Sequence, residues 1–194
     1  MKIFKSIDNF PKLSNAVVTV GSFDGVHLGH QHLLARVKQE AAEIGGESVV
    51  VTFDPHPRQV LHPESNLLLI NDLDNKLSYL KQEKIDCVVV IPFTIEFSKL
   101  SPIQFLKTII ADTIGAKVMV MGPRHTFGKD RAANHDNMLA IGKEIGIKMV
   151  MIEEFTMDDS IVSSTEIRKY LKNGEMDKAE KLLKKHTKAE ENLP

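Results

Sequence analysis

Two short stretches hold most of the residues whose types and spacing suit chemistry. The first is Gly21-Ser22-Phe23-Asp24-Gly25-Val26-His27-Leu28-Gly29-His30, lying between an apolar run and a helical period. Gly21 and Gly25 permit tight turns and close approach of a ligand to the backbone. A helix starting near Leu28 offers unpaired N–H groups and a positive dipole end to an anion. His27 and His30, three apart, share one face of that first turn. Gly29 leaves room against the backbone for a phosphate or an adenine. The second stretch is Val162-Ser163-Ser164-Thr165-Glu166-Ile167-Arg168. Ser163 with Glu166 fits a capping box, a structural role. Ser164, Thr165 and Arg168 then remain on the first turn of one helix, where hydroxyls, helix-terminal N–H groups and a guanidinium make a polyphosphate cradle.

Each stretch has a structural reading of its own, a histidine pair beside a turn and a capped helix. Taken together they read as two halves of a nucleotide site. Zinc is the rival for His27, His30 and His32, but helical zinc pairs sit four apart with a glutamate between, and no cysteine pattern supports it. No GxxxxGK[ST] occurs: Gly122 to Gly128-Lys129-Asp130 has the wrong spacing and lacks the hydroxyl. No GxGxxG follows the first strong strand, and Ser163 and Ser164 lack a nucleophile elbow. The methionines at 119, 121, 149 and 151 alternate along strands and read as core. Cys87 opens an apolar strand and reads as packing.

The elements that must carry these residues are legible from periodicity. Residues 16–20, 48–53, 86–91, 117–121 and 147–152 are continuous β-branched or apolar runs, as in parallel strands covered on both faces. Helical periods fall at about 28–44, 72–84, 102–114 and 134–146. Gly45, Gly115 and Gly146 stand where C-terminal caps belong, and Pro102 at a favoured first-turn position. This alternation predicts an α/β fold, a Rossmann-like three-layer α/β/α arrangement with a mostly parallel five-stranded sheet and right-handed crossovers. Ligands in such sheets bind beyond the carboxyl ends of the strands, at the topological switch.

The chain has 194 residues, 42% hydrophobic and 26% charged, which suits one globular domain. Its formal net charge is −1, so total charge points neither to nucleic acid nor to an anionic membrane. One cysteine excludes an internal disulfide and fits a reducing cytoplasm. The N-terminus carries no apolar signal segment, and no apolar run approaches the ~20 residues of a membrane span. Expectations are therefore a cytoplasmic chain with small-molecule substrates. Residues 1–185 form the domain, and 186–194 a charged tail.

On its motifs the sequence resembles the FMN adenylyltransferase domain of bacterial FAD synthetases, within the HxGH nucleotidyltransferase superfamily. GSFDGVHLGHQHLL resembles that family's first motif and VSSTEIRKYLKNGEMDKAEKLL its last. VVVTFDPHPRQVL (49–61) and FTIEFSKLSPIQFL (93–106) are similar to its intervening stretches. The similarity is collinear from about residue 3 to 183. It implies that ATP and FMN give FAD and pyrophosphate, with Mg²⁺. His27 and His30 would stabilise charge on the ATP phosphates, with Gly21, Phe23, Asp24 and Gly29 around the nucleotide. Ser163, Ser164, Thr165 and Arg168 would hold the departing phosphates. Phe53, Asp54, Pro55, His56 and Pro57 would form the flavin-side loop, and Arg124 and Phe127 would line the loop after the fourth strand. No catalytic base is required, because a phosphate monoester has its second pKa near ~6 and is already ionised at neutral pH. Catalysis reduces to positioning and charge neutralisation, with Mg²⁺ held mainly by phosphates and waters.

Two features depart from the family. Arg124-His125 stand where members carry Asp or Asn followed by Phe, and Ala132-Ala133 replace a glycine. A cation there either adds a phosphate contact or alters metal or flavin placement. The bifunctional members continue into a riboflavin kinase domain, whereas this sequence ends at KKHTKAEENLP. The alternatives are a nucleotidyltransferase for another phosphorylated metabolite, or a catalytically weak flavin- or nucleotide-binding regulatory protein. Protein ligands to a metal and the oligomeric state are not readable from the sequence.

Overall fold

The computed structural model describes residues 1–123, 135–158 and 160–183. The expected tail and domain end, and the Arg124, His125, Phe127 and Ala132-Ala133 positions, lie outside the described residues. Six strands form one parallel sheet: β1 (Lys2–Phe4), β2 (Ala16–Val20), β3 (Glu47–Asp54), β4 (Cys87–Pro92), β5 (Ala116–Met121) and β6 (Lys148–Met151). Their order is β1-β4-β3-β2-β5-β6. All five expected strands are present within a residue or two. The sixth, β1, is too short to show a period, and it pairs parallel to β4 at the sheet edge.

Strand β2 is the centre, paired to β3 on one side and β5 on the other. All five of its residues are buried, which is why AVVTV has no polar alternation. Val17, Val50, Val88 and Val118 face α1 (Leu28–Glu43) and α3 (Leu73–Gln82), packing on Leu34, Val37 and Leu80. Val18, Val51, Val89 and Met119 face the other layer, where Phe105, Leu106 and Ile110 and then Met138 of α6 (His135–Ile145) cover them. The sheet is thus covered on both faces. Met121 is likewise fully buried, and Met149 and Met151 are partly buried against the same core. Cys87 is buried, and burial pushes its thiol up to about 11, so it packs rather than reacts.

The helix expected over 102–114 opens as a single α turn, α5 (Pro102–Gln104), capped by Ser101, and continues as π-helical turns over Phe105–Ile114. Thr113 Oγ1 donates to the Thr108 carbonyl five residues back at 2.7 Å, matching those wider turns. Gly115 ends the segment at φ +83, and a Cβ there would stand 2.0 Å from the Leu13 carbonyl. Short helices α2 (Pro57–Leu61) and α4 (Ile95–Ser98) follow β3 and β4. A hairpin of β7 (Thr156–Met157) and β8 (Ser160–Ile161) then leads into α7 (Ser164–Lys172) and α8 (Met176–Leu183). Val162, Ile167, Ala179 and Leu182 form a separate small core beneath that helix pair. Among the described residues, no helix is long and apolar enough to cross a membrane.

Candidate functional site

The strand order reverses between β2 and β5, and the loop leaving β2 is Gly21–His27. It turns sharply: Phe23, Gly25 and Val26 have φ of 49, 90 and 38. A side chain on Gly25 would be strained there and would meet Ile70 at 3.2 Å and Leu183 at 3.3 Å. The phenyl ring of Phe23 is buried and lies 5.0 Å from the His30 ring. The loop delivers its chain to the N-terminus of α1 with His27 as the capping residue. The His27 Nδ1 accepts from the His30 backbone N–H at 3.2 Å. The proton of the neutral ring is therefore on Nε2, left as a donor. The two imidazoles stack at 3.7 Å, 16° from parallel.

Burial pushes His27 down to about 4, the Arg168 charge adding to the effect while Asp24 opposes it. Burial likewise holds His30 well below the ordinary histidine range, with His27 and Lys76 pushing the same way. Burial therefore favours the neutral form of both rings, in which they can act on an anion as hydrogen-bond donors. His30 Nδ1 is buried with no hydrogen-bond partner among the described residues.

The second stretch comes to the first. Ser163 caps α7, its Oγ accepting from the Glu166 N–H at 3.2 Å. The Glu166 carboxylate pairs with Lys169 instead of closing the capping box. Ser164 Oγ donates to the Asp24 carbonyl at 2.8 Å. Asp24 is the hub of this junction and is 1% exposed. Its Oδ1 accepts from Ile70 N at 2.9 Å and Asn71 N at 3.1 Å, while its Oδ2 accepts from the Arg168 guanidinium. Arg168 Nε also donates to the Leu68 carbonyl at 2.8 Å. Asp24 is thus a buried brace rather than the ligand contact expected of it. A Cβ on Gly29 would stand 3.1 Å from the Val162 carbonyl and 3.3 Å from the His27 ring. The missing side chain lets the two helix ends approach, and Gly29 itself lines the cleft between them. Two helix N-termini consequently face one cleft, where their dipoles add for an anion.

That cleft has a volume of about 690 Å³, within the range of small-molecule sites. Gly21, Phe23, His27, Gly29, His30 and Arg168 line one part, with Ser163, Ser164 and Thr165 beside them. Phe53, His56 and Pro57 line another. Pro55, which follows a cis peptide bond, is exposed and turned out of the lining, so that expectation is corrected. His56 caps α2, its Nδ1 accepting from Arg58 N at 3.0 Å, and burial pushes it down to about 4.

Sequence reasoning missed much of the apolar wall. Phe93 and Phe97 lie 5.5 Å and 5.7 Å from Phe53, and Phe105 lies 6.0 Å from Phe97. All are tilted or edge-on, the arrangement aromatic rings prefer. All three sit in the FTIEFSKLSPIQFL stretch, which spacing alone did not mark as a site. Also missed was Lys76, 5% exposed on α3. Its signal was there to be read: a lysine beside Leu77 and one turn before Leu80, on a face that must be core. Among the described residues, no three His, Cys, Asp or Glu side chains converge to hold a metal ion.

The chain is 34% identical over 185 residues to a bifunctional riboflavin kinase/FMN adenylyltransferase of Buchnera aphidicola, covering 94% of this chain and 59% of that protein. It is 35% identical to the protein of the same description from Bacillus subtilis, covering 88% of this chain and 54% of the other. The chain therefore spans somewhat over half the length of the curated relatives it matches. In structure it is similar to a macrolide-efflux protein from Streptococcus pneumoniae. That match has a TM-score of 0.81 at 27% identity and covers 93% of this chain and 68% of the other. The FAD synthetase family model matches residues 10–166, and the chain belongs to that family.

Proposed function

We propose that this chain transfers AMP from ATP to FMN, giving FAD and pyrophosphate. The observation that carries this reading is the cleft itself. One end is built of two helix N-termini, a neutral histidine pair and Arg168; the other is a wall of Phe53, Phe93, Phe97 and Phe105. The first end suits polyphosphate, the second a flat aromatic ring system, and the two are continuous. An ionised oxygen of the FMN phosphate forms a bond to the α-phosphorus of ATP. The bond from that phosphorus to the oxygen bridging to the β-phosphate breaks, and pyrophosphate leaves with the electron pair.

The chain's residues act here by position. His27 offers Nε2–H to the reacting phosphate, because its Nδ1 is held by the helix end. The α1 and α7 N-terminal N–H groups and the exposed Thr165 hydroxyl receive the β- and γ-oxygens. Arg168 spends Nε and one Nη2 bond on protein acceptors, which leaves further guanidinium N–H groups for the leaving group. A divalent cation would supply charge stabilisation between the phosphates. The described residues form no cage for it, and no step above runs through it. We place the reaction in the cytoplasm, which agrees with a buried, unpaired Cys87.

The test is incubation of the purified chain with ATP, Mg²⁺ and either FMN or riboflavin, with chromatographic separation of the flavins. FAD should form from FMN, and no dinucleotide from riboflavin, which lacks the attacking phosphate. A chain that binds ATP yet makes no FAD overturns the flavin assignment.

A further inference from the structure

Among the described residues, the cleft proposed to hold these anions is poor in free positive charge. Among the described residues lining it, the cations are Arg58, exposed at the rim, and Arg168, already paired with the buried Asp24. Glu153 lines the same cleft, and burial disfavours the cations of His27, His30 and His56. With Asp24 cancelling Arg168, these described groups offer a polyphosphate little uncompensated positive charge.

Beneath the loops lies a further cation. Lys76 is 5% exposed, and its Nζ donates to the Phe53 carbonyl at 3.3 Å and to Thr52 Oγ1 at 3.5 Å. Thr52 Oγ1 in turn donates to the Ser22 carbonyl at 3.2 Å. Among the described residues no carboxylate comes within ion-pair distance of that ammonium. A buried cation resting on neutral acceptors costs desolvation energy without the recovery an ion pair gives. Its neighbours on α3, Leu77 and Leu80, show that this face accepts apolar side chains. Stability alone therefore does not explain a lysine here.

We propose that Lys76 is a positioning residue for the anion end of the cleft. It ties the carboxyl end of β3 to the loop after β2, and it supplies from beneath a fixed positive charge that the described lining lacks. It acts through the backbone and the field, not by touching substrate. This inference rests on reading the cleft as a polyphosphate site, but it does not require that FMN be the acceptor. Burial lowers the Lys76 ammonium's affinity for its proton, and Asp24 and Asp54 within electrostatic reach oppose that. His30 in the first turn of α1 and His56 at the cap of α2 feel its charge in turn.

The experiment compares the full chain with Lys76→Met and Lys76→Gln. Inorganic pyrophosphate binding is followed by calorimetry, FAD formation by chromatography, and the histidine resonances by NMR titration. Removing the charge should weaken pyrophosphate binding roughly tenfold or more, the scale of one unit charge acting across several ångströms of partly desolvated protein. FAD formation should fall with it. The His30 resonance should titrate closer to the ordinary range, and Lys76→Met should melt no lower than the parent. Lys76→Gln keeps hydrogen-bonding capacity without charge and should resemble Lys76→Met in binding. If Lys76→Gln binds pyrophosphate as the parent does, or His30 titrates unchanged in both variants, the lysine is a structural brace and the proposal fails. It fails equally if the parent does not bind pyrophosphate. A parent that binds pyrophosphate in a Lys76-dependent way but makes no FAD leaves the positioning role standing and overturns the flavin reading alone.

Discussion

Replacing Asp24 by Asn isolates the junction on which both halves of the site depend. The amide keeps one oxygen, which retains the N–H groups of Ile70 and Asn71 now held at 2.9 and 3.1 Å. Its NH₂ then faces the Arg168 guanidinium, donor against donor. Arg168 is 8% exposed and keeps only the Leu68 carbonyl as partner. An unpaired buried charge of this kind costs about 3–5 kcal/mol. For a chain of this size that corresponds to a fall in Tm of roughly 10 °C. Urea unfolding followed by circular dichroism, with calorimetry for Tm, measures both. Arg168→Met alone leaves the carboxylate with two backbone donors and should cost less. Combining the two changes removes the stranded cation, so the double variant should recover more than half of the Asp24→Asn loss. An Asp24→Asn variant destabilised by less than about 1 kcal/mol, or a double variant that is simply additive, would refute the brace and with it the account of how α7 is held to the loop.

His27 and His56 are both held down to about 4, against an unfolded value near 6.5, because burial disfavours their cations. The unfolded chain binds more protons between those values, so stability is full above about pH 6.5 and falls as pH drops towards 4. The loss approaches on the order of 3 kcal/mol per histidine; a urea midpoint that is flat from pH 7 to 4.5 would contradict it. His27→Ala removes both a helix cap and a donor, costing about 1 kcal/mol of stability and roughly a hundredfold in turnover. His27→Asn should restore the stability but not the turnover, and recovery of both would show that the imidazole serves only as a cap. Gly29→Ala gains helix propensity but sets a methyl 3.1 Å from the Val162 carbonyl. It should leave Tm within a few degrees of the parent while lowering ATP affinity several-fold, and unchanged affinity in a binding titration would show that the helix ends need not approach so closely.

How much of this was legible in the sequence depended on how local the cause was. Strand β2 was readable to the residue, because a strand buried on both faces is a continuous run of apolar or β-branched residues, here AVVTV. Gly115 was readable because a helix end at φ +83 favours glycine strongly. The His27–His30 and Ser163–Arg168 stretches were readable because each gathers its groups at the start of one helix. The bond between the stretches was not. Asp24 and Arg168 are separated by 144 positions, and nothing in either stretch shows that the carboxylate is spent on the guanidinium. The same holds for Lys76, whose partners Thr52 and Phe53 lie on another element, and for Phe93, which joins the site only because β4 lies beside β3. The π-helical turns of Phe105–Ile114 follow an apolar period that an α-helix would satisfy equally well.

The neutral histidine pair also bears on why the motif takes this form. A cationic pair stacked at 3.7 Å would repel itself, and would have to be assembled on a loop whose burial already disfavours charge. A neutral pair avoids that cost. His27 fixes its tautomer by capping the helix, which leaves one nitrogen as a directed donor whatever the substrate does. On the proposed reading, the negative charge of an arriving phosphate favours the protonated form of either ring, so positive character grows where charge develops. Donation tuned in this way stabilises the transition state more than the resting site, which is what catalysis by differential binding requires. Constant positive charge is better placed on groups that do not titrate near neutral pH and do not move. The helix N-termini meet that condition, as does the side of the guanidinium not spent on Asp24. On the proposed reading, the division of labour follows from burial: permanent charge sits behind or beside the phosphate, and the histidines meet it as neutral donors that gain positive character only as it binds.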